Sequence, residues 1–391
     1  MGDLPLVGVR ILDLSRLLPG PYATLVLADL GAEVVKIEDP RGGDYVRWMP
    51  PLAGQQSGYF HALNRNKRSV TLDLRRAEGV SALLRLARRF DVVVESFRPG
   101  VIDRLGIGWD ALSRENPGIV LCSISGYGQD GPYRDRAGHD IDYAAVAGVL
   151  GLNGPPEHPL PLAVQVADVA GGSWPAVAGI LAALVRRAAT GRGAHVDVAM
   201  VEGSLAMLAL QRGAAEARGA PLRRGGEMLN GRWACYGVYR TRDGRFVALG
   251  ALEAKFFGAF CTAVGRPELA EMQFDDDGAA PRVELEAIFA SRTRDEWAEF
   301  AAEHDVCVMP VLEGDEPTRD PQLRARGNFI EIETPWEGRA MRSLASPVRL
   351  AGVEAPRNPA PALGADTETV LRESGFDAAE VAGLRAAGAL G

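Results

Sequence analysis

Lysine is almost missing from this chain. Only Lys36, Lys67 and Lys255 occur among 43 basic residues, the rest being arginine. Genomic base composition accounts for the bias, though all three lysines fall in segments that return below. Histidine is scarce too, with five in 391 residues. The four cysteines, Cys122, Cys235, Cys261 and Cys307, are scattered, with no disulfide or metal spacing. Buried reduced thiols in a cytoplasmic protein are the expectation. Long apolar runs are lacking as well: the longest uncharged one, Pro175–Val185, falls far short of the roughly 20 residues that span a bilayer. Asp3 stands where a signal peptide carries positive charge. Nor is there an excess of basic charge. A net charge of −8 and a pI near 5.4 argue against nucleic acid, whose phosphates call for a basic face. No metal site, nucleic-acid partner or membrane partner is therefore expected.

What is present is an ordinary globular composition, 47% hydrophobic and 24% charged, with chain enough for two domains. Over the first 125 residues strand-like and helix-like segments alternate. β-Branched runs at Val9–Leu14, Glu33–Glu38, Ser69–Leu74, Asp91–Phe97 and Ile119–Ser125 enclose helical patterns such as Tyr22–Leu30 and Ala77–Phe90. The alternation predicts an α/β fold with a doubly wound parallel sheet, whose ligands sit beyond the carboxyl ends of the strands. A long apolar helix over Ser173–Ala189, a strand over His195–Met200 and a helix over Val201–Arg218 complete a large domain, 1–218. The glycine-rich Gly219–Gly231 reads as a hinge into a smaller α+β domain, 226–325. The segment 328–391, rich in proline and ending with a helix over Asp366–Ser374, returns to the large domain.

The stretch Gly126–Tyr143, GYGQDGPYRDRAGHDIDY, carries the most chemistry. Its G-x-G-x-x-G follows a strand, but Pro132 and an Arg/Asp/Gly run follow instead of a helix start, so it is not a dinucleotide fingerprint. The loop delivers His139, and an imidazole titrates near neutrality, as an acid or base must. A loop histidine bonded to backbone is the plainer reading, with Asp140 or Asp142 holding its ring. Asp168, in QVADVAGGSW, precedes the long helix. It serves either to cap backbone N–H groups or to act as a carboxylate beside donors for an oxyanion. Glu253, in VALGALEAKFF, reads as a first-turn glutamate favoured by the helix dipole. Asn66, Lys67 and Arg68 before one strand, and Arg98 in FRPG after another, are either solvated loop charge or phosphate ligands.

Taken in order, the segments GVRILDLSRLLPGPYATLVLADLGAEVVKIEDPRGGD, LNRNKRSVTLDL, ESFRPGVIDRLGIGW, SISGYGQDGPYRDRAGHDIDY, ADVAGG, GRGAHVDVAMVEG and VYRTRDGRFVALGALEAKFF resemble the family III CoA-transferase superfamily (CaiB/BaiF type), which includes the α-methylacyl-CoA racemases. They cover most of residues 5–265. The resemblance implies an interlocked homodimer acting on an acyl-CoA substrate, with no cofactor beyond the CoA of that substrate. It implies CoA near the NRNKRS and FRPG segments, hence Asn66, Lys67, Arg68 and Arg98 as ligands, with Asp140 and Tyr143 beside them. In the racemase branch it implies His139 and Asp168 as the acid/base pair, with Glu253 supporting the imidazole. In the transferase branch it implies Asp168 as a nucleophile that carries the acyl group and then CoA. The active-site segments are racemase-like, whereas Gly42–Ser69 resembles the transferases more closely.

Moving an α-proton beside a thioester needs a base on one face, an acid on the other and donors for the enolate oxygen, which the helix after Gly171-Gly172 is expected to offer. A transferase needs only a reachable carboxylate. The His139–Asp168–Glu253 set therefore favours an α-methylacyl-CoA racemase or epimerase. A family III CoA-transferase is the first alternative, and a CoA-binding protein without catalysis the second.

Overall fold

The computed structural model describes residues 4–275, 279–333 and 340–390. Asp3, which bore on a leader peptide, lies outside them. The chain forms two compact units: residues 1–147, 163–207 and 322–391 make the first, 148–162 and 208–321 the second. This differs from the expected boundaries. The helix Ala209–Arg218 belongs to the second unit, and so does the excursion 148–162. The 219–231 stretch is not a hinge between domains but lies inside the second unit.

The first unit is built on six parallel strands: β1 (Arg10–Asp13), β2 (Glu33–Glu38), β3 (Lys67–Thr71), β4 (Val92–Glu95), β5 (Val120–Ser125) and β6 (Ala194–Ala199), in the order β3-β2-β1-β4-β5-β6. β4 and β5 are buried at every position, as apolar runs must be when both faces of a sheet are covered. On one face Leu83, Leu86 and Phe90 from the helical segment after β3 pack on Leu12, Val35, Val93 and Leu121. Chain order reverses between β1 and β4, which opens a crevice at their carboxyl ends.

β3 is an edge strand, and the C-terminal segment covers it. Asp366 accepts the Ser69 N–H at 2.9 Å, Thr367 Oγ1 accepts the Thr71 N–H at 3.0 Å, and Asp366 N–H donates to Ser69 O. Capping the ladder this way removes a template for pairing between molecules. A hairpin of Phe329–Glu333 and Ala340–Leu344, which periodicity alone did not reveal, also belongs to this unit. Ala167–Thr190 forms one helical stretch that is long and apolar enough to cross a membrane, more than the run 175–185 suggested. It packs against β5, β6 and the helix Pro19–Asp29, and a core helix passes the same length test.

The second unit holds an antiparallel sheet, β9-β8-β7, formed by β7 (Tyr236–Arg240), β8 (Phe246–Gly250) and β9 (Val308–Pro310). Its core is aromatic: Phe289 stacks on Phe260 and on Tyr239, with centroids 5.4 Å and 4.8 Å apart, and Trp297 meets Phe289 at a tilt.

Candidate active site

The loop after β5 ends in a helix, Asp140–Ala147, and His139 is the residue that enters it. Its carbonyl accepts the N–H groups of Asp142 and Tyr143, while the Asp142 carboxylate reaches back to the His139 N–H at 2.9 Å. Asp142 thus fixes the backbone of His139 and leaves its exposed ring to others. Tyr143 anchors the loop from beneath. Its ring is buried, its hydroxyl donates to Gly138 O, and Tyr127 meets its edge at 5.2 Å. A Cβ on Gly126 would sit 2.3 Å from that ring and one on Gly138 2.7 Å, so the two glycines exist to seat it. Burial, reinforced by the charge of Asp168, pushes the phenol up to about 12. Tyr143 is therefore scaffolding with its hydroxyl committed, not the ligand contact the resemblance implied.

Asp168 lies in the first turn of a π-helical segment, Ala167–Ser173, that runs straight into the α-helix Trp174–Thr190. Such wide turns concentrate at functional sites because they redirect a side chain without ending the helix. The Asp168 N–H donates to Asp140 Oδ1 at 2.9 Å, which stitches this turn to the start of the helix that follows His139. Asp140 is thus a tether between the two candidate catalytic segments. Burial first, then the Asp140 carboxylate, raises Asp168 to about 6, against the lowering influence of His139. Gly171 and Gly172 do not open a helix as expected. They sit inside it, where its N–H groups are committed. A Cβ on Gly171 would lie 2.6 Å from Met200 O, and one on Gly203 would lie 2.0 Å from Gly171 O. The glycines let the helix Met200–Ala206 cross in backbone contact and so press the Asp168 turn into place. At the start of the helix Asp140–Ala147 the His139 carbonyl takes the N–H groups of Asp142 and Tyr143, and those of Asp140 and Ile141 come before them.

The basic set divides. Lys67 is fully buried, and its ammonium is already met by Asp13 Oδ2 at 3.1 Å, Pro21 O at 2.9 Å and Asn64 Oδ1 at 2.9 Å. Against the cost of burial, Lys67, Lys36 and the hydroxyls of Ser15 and Thr24 hold Asp13 well below the usual carboxylate range. Asn66 bonds Asp29 and the Pro356 carbonyl, and Arg68 pairs with Glu33 at 3.0 Å and Glu373 at 2.6 Å. All three stand at the amino end of β3, where they hold the core and the C-terminal segment together. The expected phosphate role of Asn66, Lys67 and Arg68 is corrected accordingly: their side chains are engaged in these contacts and stand away from the carboxyl ends of the strands. Arg98, in the turn after β4, does stand at the carboxyl ends, exposed.

At the crevice itself a cavity of about 310 Å³ is lined by Leu14, Arg16, Leu72, Arg75 and Phe97. The Arg16 guanidinium lies 5.9 Å from the Phe97 ring centroid. Beside it a Cβ on Gly100, at φ +76°, would stand 3.0 Å from Arg134 and 3.4 Å from Arg104. Sequence reading missed Arg16, Arg75, Arg104 and Arg134. Only strand order, which brings distant loops together, reveals them. Glu253 belongs to the second unit, where its backbone caps the helix Ala254–Ala263 while its exposed carboxylate makes no capping bond. Among the described residues no group of His, Cys, Asp and Glu side chains is arranged to hold a metal ion.

The first unit thus combines a doubly wound sheet, an arginine-lined crevice at its reversal point, and a carboxylate and a histidine on two segments tethered to each other. A crystal structure of a CaiB/BaiF family protein from Brucella suis matches with a TM-score of 0.81 and 33% identity, over 95% of this chain and 99% of that one. The model of CoA-transferase family III matches residues 6–367, and the chain belongs to that family. Human α-methylacyl-CoA racemase is 35% identical over 97% of this chain and 95% of its own. Succinate–glutarate CoA-transferase of Agrobacterium fabrum is 33% identical over 94% and 95%. The two activities are about equally near.

Proposed function

We propose that the protein is an α-methylacyl-CoA racemase or epimerase that interconverts 2R and 2S thioesters through an enolate. The observation that carries this reading is the tether between Asp168 and Asp140, which holds a carboxylate raised to about 6 beside the segment that begins with His139. A group titrating near 6 serves as acid and as base within the neutral range, as a two-way proton transfer requires. One of His139 and Asp168 takes the α-proton and the other returns one to the opposite face. The enolate oxygen is held by the first N–H groups of the helix Asp140–Ala147, where the helix dipole favours negative charge.

In this reading the nucleotide end of CoA occupies the crevice between β1 and β4. Phe97 offers a face for the adenine, and Arg98, Arg104 and Arg134 meet phosphate. No cofactor is needed beyond the CoA of the substrate, and the protein works in the cytoplasm as an interlocked homodimer. The dimer is supported by an apolar groove of about 800 Å³ in the first unit, lined by Leu18, Tyr22, Val166, Phe329, Met341 and Leu344. A second copy of the chain is the occupant we assign to it, and light scattering after gel filtration tests that.

One observation favours a second reading, a family III CoA-transferase: Asp168 is a reachable carboxylate in a wide helical turn, as an acyl-accepting nucleophile must be. Incubation with a 2-methylacyl-CoA in D₂O, without acceptor acid, separates the two. α-Deuteration that disappears in His139→Ala is expected. Absence of exchange, with CoA transfer once a free carboxylic acid is added, would overturn the racemase reading.

A further inference from the structure

Glu95 ends β4 and is 2% exposed, yet neither mechanism above uses it. Its Oε2 accepts the Phe97 N–H at 2.7 Å, closing the turn that starts the FRPG segment. Between them, Ser96 Oγ accepts the Arg16 N–H at 3.1 Å, so the same turn holds the β1 loop on the other side of the crevice. Glu95 also accepts a hydrogen bond from the Ser123 hydroxyl on β5. Ser123 Oγ in turn lies 2.9 Å from His195 Nε2 on β6, and the His195 ring stacks on Trp109 with centroids 6.0 Å apart. A chain of hydrogen bonds thus crosses three adjacent strands, from an exposed imidazole to a buried carboxylate at the crevice wall.

We propose that Glu95 is a positioning residue for CoA: as a carboxylate it fixes the Phe97–Arg98 turn against Arg16, and Ser123 and His195 hold it in that form. This rests on the crevice being the nucleotide site. A carboxylate accepts a backbone N–H more strongly than a neutral carboxyl does, so protonation slackens the turn. Burial, opposed by the Ser123 and Phe97 bonds and aided by Asp103 and Asp197, pushes Glu95 up to about 7. The groups facing it are therefore Ser123 and Cys122 on β5, His195 and Asp197 on β6, and Asp103 on the helix Val101–Arg104. Asp197 is already engaged by the Gln129 N–H at 3.1 Å.

The test is calorimetric titration of the full-length protein with free CoA at several pH values, with Glu95→Gln, Ser123→Ala and His195→Gln alongside. Glutamine keeps the shape and the acceptor but not the charge. The dissociation constant of the wild type is expected to weaken roughly fivefold as pH falls through about 7. Glu95→Gln is expected to hold the weak value at every pH, to raise KM with little change in kcat, and to melt no lower than the wild type at about pH 8. Ser123→Ala and His195→Gln shift the midpoint upward. Equal CoA affinity for Glu95→Gln and wild type at about pH 8, or an unchanged pH dependence in that variant, overturns the proposal. Failure of the wild type to bind CoA at any pH overturns instead the placement of CoA in the crevice.

Discussion

Replacing Asp140 by asparagine removes a charge and leaves a bond. Asparagine Oδ1 still accepts the Asp168 N–H that the aspartate accepts at 2.9 Å, so the tether survives. What disappears is the second of the two causes that raise Asp168 to about 6; burial, the first, stays. For two like unit charges, a separation of about 6 Å is worth about 0.7 kcal/mol in water and about 3 kcal/mol at an effective dielectric of 20. Asp168 is half-buried, so the lower part of that range applies, about 1 kcal/mol, or a fall of roughly 0.5–1 pH unit in its pKa. The assay is α-proton exchange of a 2-methylacyl-CoA in D₂O, with kcat/KM followed between about pH 4.5 and 8.5. Activity needs ionised Asp168 in one direction of proton transfer, so the acid limb moves down in Asp140→Asn while the plateau falls little. An acid limb that stays in place, or moves up, refutes the electrostatic account of Asp168.

Three further outcomes are expected. Because the folded pKa of Asp168 is raised, its contribution to stability is complete below the unfolded value near 3.8 and is lost as pH rises through about 6. Asp168→Asn should abolish exchange yet melt higher than the wild type at about pH 8, with the difference gone near pH 3; equal melting at both pH values counts against this. Lys67→Met leaves Asp13 buried without its nearest cation and should cost about 3–5 kcal/mol in denaturant unfolding, most of it recovered by adding Asp13→Leu. A single variant of near wild-type stability would show the pair to be dispensable. Gly203→Ala drives a methyl group against the Gly171 carbonyl, now 2.0 Å from the Cβ position, and overpacking of this kind costs about 1–3 kcal/mol. Loss of exchange should exceed the loss of folded protein seen by circular dichroism, since the strain falls on the Asp168 turn.

The sequence by itself determined the parallel sheet and singled out the candidate catalytic residues. Apolar runs such as 92–94 and 120–122, within segments of strand length, mark strands buried on both faces, a local property legible without a partner strand. His139 and Asp168 stood out because a scarce residue type in a broken loop, and an acid ahead of a glycine-rich helix, are local signals too. Tertiary structure alone decided what each basic residue does. Asn66, Lys67 and Arg68 look like phosphate ligands in a string of letters, but strand direction puts them at the amino end of β3, where Asp13, Asp29 and Glu373 consume their donors. The arginines at the crevice come from four separate loops that meet only because strand order reverses between β1 and β4. The π-helical turn at Asp168 was equally hidden, since nothing in ADVAGGS distinguishes it from an α-helical start until Gly203 packs against Gly171. Local periodicity fixes elements, whereas electrostatic roles depend on which distant atoms already surround a charge.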